Sequence, residues 1–117
     1  MDRIFQQTYH IPGALVADIT PVFTAPCNCT LLHVSAVASN ASDALLKLGT
    51  TANDAAYMVF SDVGDSDVPA EYDREDFVGT QYPRVTDGAI VKLTVDFDGA
   101  GGVPAQNLTV VLTFTEG

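Results

Sequence analysis

The chain has 117 residues, 47% of them hydrophobic, with no tryptophan and no low-complexity tract, a composition that argues against disorder and suits a single domain burying roughly two thirds of its unfolded surface. Fifteen carboxylates face five cations, Arg3, Lys47, Arg74, Arg84 and Lys92, for a net charge of −10. Neutralising phosphates takes Lys and Arg, so a nucleic-acid partner is not expected, and an anionic membrane would repel this surface for the same reason.

The first residues, 1–7, contain no apolar signal core, which predicts synthesis in the cytosol. Residues 1–11 read as a first strand or an extended arm ending at the turn signal Pro12-Gly13. Ile4 and Phe5 stand there among polar neighbours, and with Tyr9 they are the candidate anchors for a partner. Apolar residues at a terminus are often ordered only when docked. Residues 12–117 are the domain proper. From Ala14 to Thr24 the pattern alternates loosely, with Leu15, Ala17 and Ile19 on one side, and Pro21 pushes this second strand toward an edge or a bulge. A third strand runs from Cys29 to Ala38, where Leu32, Val34 and Ala36 are expected to face the core.

Residues 39–43 (SNASD) are loop chemistry, because such short side chains bond their own backbone. Ala44 to Leu48 is a short strand. The stretch Ala56 to Phe60 reads as strand or irregular structure, with one helical turn capped by Asn53 or Asp54 as the other possibility. Residues 61–76 are the least core-like part, with seven carboxylates against Arg74. The last third alternates most clearly. Val91, Leu93, Val95 and Phe97 point one way, then Leu108, Val110, Leu112 and Phe114, with a Gly-rich loop of residues 98–106 between. Sustained period-two alternation is what half-buried strands require. About seven or eight short antiparallel strands, separated by turn signals and with no amphipathic helix, predict an all-β, single-domain, jelly-roll-like β-sandwich.

Residues that could carry chemistry have plainer structural readings. Asp62, Asp65 and Asp67 around Gly64 are spaced like calcium ligands, yet no bidentate Glu follows where an EF-hand needs one, so a solvated acidic loop is expected. Asp96 and Asp98 would share a strand face near a loop, and Asp73 with Asp76 could suggest acid–base work, but surface charge accounts for both pairs. His10 and His33 are far apart, each in a predicted strand. Cys27 and Cys29, one residue apart, would form a strained disulfide and lack zinc-site partners, so both are expected as reduced thiols. No nucleophile elbow and no phosphate loop leading into a helix is present. Without a signal peptide, the three sequons at Asn28, Asn40 and Asn107 read as chance matches. No catalytic residue, cofactor or required metal is expected.

Three stretches carry a resemblance: residues 71–79 (EYDREDFVG), residues 82–88 (YPRVTDG), and residues 96–102 (DFDGAGG) continuing to the C-terminal residues 113–117 (TFTEG). Over roughly residues 13–117 the chain resembles the small β-rich proteins that decorate or cement the heads of tailed bacteriophages. The resemblance implies a non-enzymatic virion protein that is made in the infected cytosol and binds the major capsid protein on the capsid surface. It also implies a homotrimer at lattice junctions, and it transfers no functional residue. A carbohydrate-binding β-sandwich of a fibre or spike is the alternative, although only Tyr9, Tyr57, Tyr72 and Tyr82, and no Trp, are available for stacking on sugars. A cupin-like enzyme would need a histidine cluster that is missing.

Overall fold

The apolar halves of the alternating strands face one another across two antiparallel sheets, as a β-sandwich requires. The computed structural model describes residues 3–98 and 102–117. Among these residues nine strands are present: β1 (Ile4–Ala14), β2 (Val22–Thr24), β3 (Cys29–Val37), β4 (Leu45–Thr50), β5 (Met58–Asp62), β6 (Ala70–Tyr72), β7 (Arg84–Val85), β8 (Ile90–Asp96) and β9 (Gln106–Glu116). One sheet runs β1-β9-β3-β6, with β7 also paired to β3, and the other runs β2-β8-β4-β5. Two 3-10 turns, Arg74–Asp76 and Val78–Thr80, are the only helical pieces among the described residues. They belong to the acidic stretch and its exit, where few apolar side chains are available to hold a strand.

The two clearest runs of the sequence become β8 and β9, the central strands of the two sheets. Val91, Leu93 and Val95 from one, and Leu108, Val110, Leu112 and Phe114 from the other, are buried. Phe97 falls just past the end of β8 and is half-buried, contrary to expectation, because the strand pairing that would turn it inward has ended. Phe114 sits at the heart of the core. It stacks on Phe5 of β1 (centroids 5.2 Å, planes 15° apart) and meets Phe23 of β2 edge-on at 5.9 Å. Aromatic pairs in these geometries add to the burial of their area, so one side chain ties β1 and β2, an edge strand of each sheet, to the core.

Three local expectations are corrected. In β3, Leu31 is opposite Phe114 and His33 is opposite Thr113, leaving Leu32 as the extra residue of a β-bulge. The bulge switches the facing, so Leu31 is buried with Val34 and Ala36, and Leu32 is only half-buried. At Pro12-Gly13 the chain does not turn away. β1 continues to Ala14 through an irregularity in register, with Gly13 at φ +78° and its N–H donating to Asn107 Oδ1 at 2.8 Å. A proline is tolerated there because β1 is an edge strand with one neighbour. The expected strand from Ala14 to Thr24 shrinks to β2. Pro21 has no N–H to give to a ladder, Ile19 makes one isolated bridge to Val95, and Ala17 is exposed.

Candidate interaction surface

Among the described residues, β1 has a hydrogen-bonded neighbour on one side only, strand β9. Its side chains alternate, with Phe5, Gln7, Tyr9 and Ile11 half-buried and Ile4, Gln6, Thr8 and His10 exposed. The three candidate anchors therefore divide. Phe5 and Tyr9 pack on the core, whereas Ile4, 68% exposed, points away from it. On the outer face Gln6 Nε2 donates to Thr113 Oγ1 at 3.2 Å, and His10 Nδ1 shares a 2.8 Å hydrogen bond with Thr109 Oγ1. Burial pushes the Tyr9 phenol up from its ordinary value, with the Gln7 side chain opposing part of that rise.

The backbone of β1 follows from the same alternation. The N–H of Glu116 donates to the carbonyl of Arg3 at 2.7 Å, which makes Arg3 and its partner a hydrogen-bonded pair of the ladder. Such pairs recur at every second residue of an antiparallel ladder. Phe5, Gln7, Tyr9 and Ile11 thus bond to β9, and Ile4, Gln6, Thr8 and His10 turn their N–H and C=O groups to the free edge. Beside this edge lies a groove of about 420 Å³ lined by Tyr9, His10, Ile11, Ile19, Thr20 and Pro21. Sequence reading picked out Ile4, Phe5 and Tyr9 but passed over Gln6, Thr8 and His10. The available signal was the lack of any charged residue from Ile4 to Ile11 in so acidic a chain.

The acidic residues at one end of the sandwich are arranged differently. Asp65 Oδ1 accepts from the N–H of Ser42, Asp43 Oδ2 from that of Val103, Asp18 Oδ1 from that of Phe97, and Asp96 Oδ1 from that of Asp98. Each carboxylate thereby ties one loop to another or closes its own turn. Among the described residues no three His, Cys, Asp or Glu side chains converge as a metal ion would require. Asp62, Asp65 and Asp67 stand apart, with Ser66 and Asp67 held at positive φ by amide bonds to the carbonyls of Asn40 and Ala38. The Gly99 end of the expected 96–99 carboxylate pair lies outside the described residues.

Other sequence candidates are dispersed. His33 Nε2 is 3.6 Å from Glu71 Oε1, on strands β3 and β6, which β9 separates from His10 on β1. Asp73 and Asp76 cap the first 3-10 turn reciprocally, each accepting a backbone amide of the other's end. Both cysteines are free, and burial, then the neighbouring Cys27, pushes the Cys29 thiol up from its ordinary value. A second cleft, about 350 Å³, is lined by Tyr57, Tyr82, Gln81, Arg84, Ala56, Val78 and Pro83. No helix of the described residues is long and apolar enough to cross a membrane.

No family model and no curated protein matches this sequence. A solved structure does. Over 99% of its length the chain superposes on a chain of the cyanophage Pam1 capsid asymmetric unit, covering 85% of that chain at a TM-score of 0.58 with 13% sequence identity. The two chains share a fold. Coverage this high on both sides means that the likeness runs from end to end and that the cyanophage chain is only slightly longer.

Proposed function

We propose that the protein is a non-enzymatic structural component of a phage virion, bound to the outside of the assembled capsid as a decoration or cement protein. The end-to-end match to a similarly short chain of a capsid asymmetric unit supports this reading most. A small β-sandwich in which Asp18, Asp43, Asp65 and Asp96 serve as loop ties, and whose described residues bring together no metal-ligand cluster, suits a binding role better than a catalytic one. The partner is then the major capsid protein, and the strong negative charge steers the chain toward a less acidic surface. Quantitative mass spectrometry of purified virions tests the proposal. Hundreds of copies per particle are expected, and absence from the particle overturns it.

One observation favours the second reading, a carbohydrate-binding module of a fibre or spike. The cleft at Tyr57 and Tyr82 offers two aromatic side chains with Gln81 and Arg84 beside them. A handful of copies per virion, together with glycan binding that is lost in Tyr82→Ala, would decide for it.

A further inference from the structure

We infer that the free edge of β1 is a docking site for the β1 of a second copy of this chain, joining two sandwiches through one continuous sheet. An exposed strand edge is a row of unused donors and acceptors, and folded proteins blunt such edges with charge, proline, bulges or shortness. The other edges here are blunted. β2 has three residues and follows Pro21; β6 has three, follows Pro69 and carries Glu71; β7 has two; β5 has five, is bulged against β4 and ends at Asp62. β1 has eleven residues, no Asp, Glu, Lys or Arg between Ile4 and Ile11, and no irregularity before Pro12. It is the long unguarded edge of the described structure.

Its own sequence fits it. Strand pairs of this kind are antiparallel and related by a two-fold axis, so opposite residues must lie on the same face of the joined sheet. Centring the axis on Gln7 puts Ile4 opposite His10 of the second copy and Gln6 opposite Thr8, in both directions. All four residues with free backbone groups from Ile4 to His10 then become hydrogen-bonded pairs, and none of their groups is left over. On the inner face Phe5 of each copy comes opposite Tyr9 of the other, beside the groove lined by Tyr9, Ile11, Ile19 and Pro21. Cross-strand aromatic pairs stabilise such ladders. Centring on Thr8 instead would set Ile4 against Pro12, whose missing N–H leaves the carbonyl of Ile4 without a partner at each end. In a chain of net charge −10, two copies also repel least where they meet without carboxylates. The assembly is a two-fold dimer, not the trimer that the decoration-protein resemblance implies. The inference stands on the strand alone and does not depend on a virion role.

Sedimentation equilibrium of the purified chain tests it, with two variants. The wild type is expected at twice the chain mass. Thr8→Pro removes a donor that the monomer does not use, so it should sediment at the single mass with an unchanged far-ultraviolet dichroism spectrum. Gln7→Cys should form an intermolecular disulfide under mild oxidation, because the residue faces itself across a non-hydrogen-bonded pair, while the wild type with Cys27 and Cys29 treated alike does not cross-link. A wild type that stays monomeric up to its solubility limit overturns the proposal and leaves the edge to a foreign strand. So does a trimer that survives Thr8→Pro. If Thr8→Pro fails to fold, the cross-link decides: none at residue 7, or one at Thr8→Cys instead, contradicts the register.

Discussion

The free edge of β1 and the acidic end of the sandwich are both exposed and both polar, yet they differ in how their hydrogen bonds are satisfied. At the acidic end Asp18, Asp43, Asp65 and Asp96 each accept from a backbone amide of the chain itself. Asp65 and Asp96 belong to stretches that the sequence reads as solvated acidic loops, and in the structure they are loop ties. Along β1, Ile4, Gln6, Thr8 and His10 include no Asp, Glu, Lys or Arg, and their backbone groups point to the free edge. Conspicuous residues mark the finished region, and plain ones mark the unfinished region. Where a surface still has bonds to make is a better guide to binding than where its charge is densest.

The largest expected effect lies where β1 meets the core. Phe114→Ala removes the ring on which Phe5 stacks and which Phe23 meets edge-on, and should cost about 3–5 kcal/mol in urea unfolding. Phe5→Ala should cost less, since Phe5 is half-buried, but it should loosen β1 first, seen as faster amide exchange from Phe5 to Ile11. The acidic end should respond more mildly. Asp43→Ala loses the tie to Val103 and should cost about 1 kcal/mol, and excess chelator should leave the melting temperature where it was. A large drop with chelator would mean that the carboxylates hold a metal after all.

A weaker effect is expected from pH. Cys29, Tyr9, Tyr57 and Tyr72 all have their acid groups pushed up, chiefly by burial. The folded state therefore holds these protons more tightly than the unfolded chain. Their contribution is fully present below the ordinary values, 9.0 for the thiol and 10.0 for the phenols, and is lost as pH rises through the folded values. Unfolding midpoints measured by denaturant should fall on the alkaline side, and Cys29→Ala should remove the earliest part of that fall. Smallest of all, Thr113→Ala on the outer face gives up the contact with Gln6 and should change stability by a few tenths of a kcal/mol.

The sandwich itself was legible because β8 and β9 alternate without interruption and occupy the centres of their sheets, where one face must be apolar. Legibility failed where a single residue changed the count. The extra residue at Leu32 reverses the facing of the first part of β3, and period-two reading has no means of seeing an inserted residue. Pro12-Gly13 was read as a turn because the pair is common in turns; that the strand passes through it depends on Asn107, far along the chain. For the candidate surface, the apolar anchors at Ile4, Phe5 and Tyr9 were visible, and Phe5 and Tyr9 also pack on the chain's own core. The free backbone edge was invisible, since sequence shows that a strand exists and not which of its sides lacks a neighbour.

The proposed virion role is tested most directly by locating the chain in the particle. Electron cryomicroscopy of the virion, with the β-sandwich fitted to density, should place many copies on the outer surface of the capsid shell. Density for this fold confined to a tail fibre or spike, with a bare capsid surface, would contradict the account.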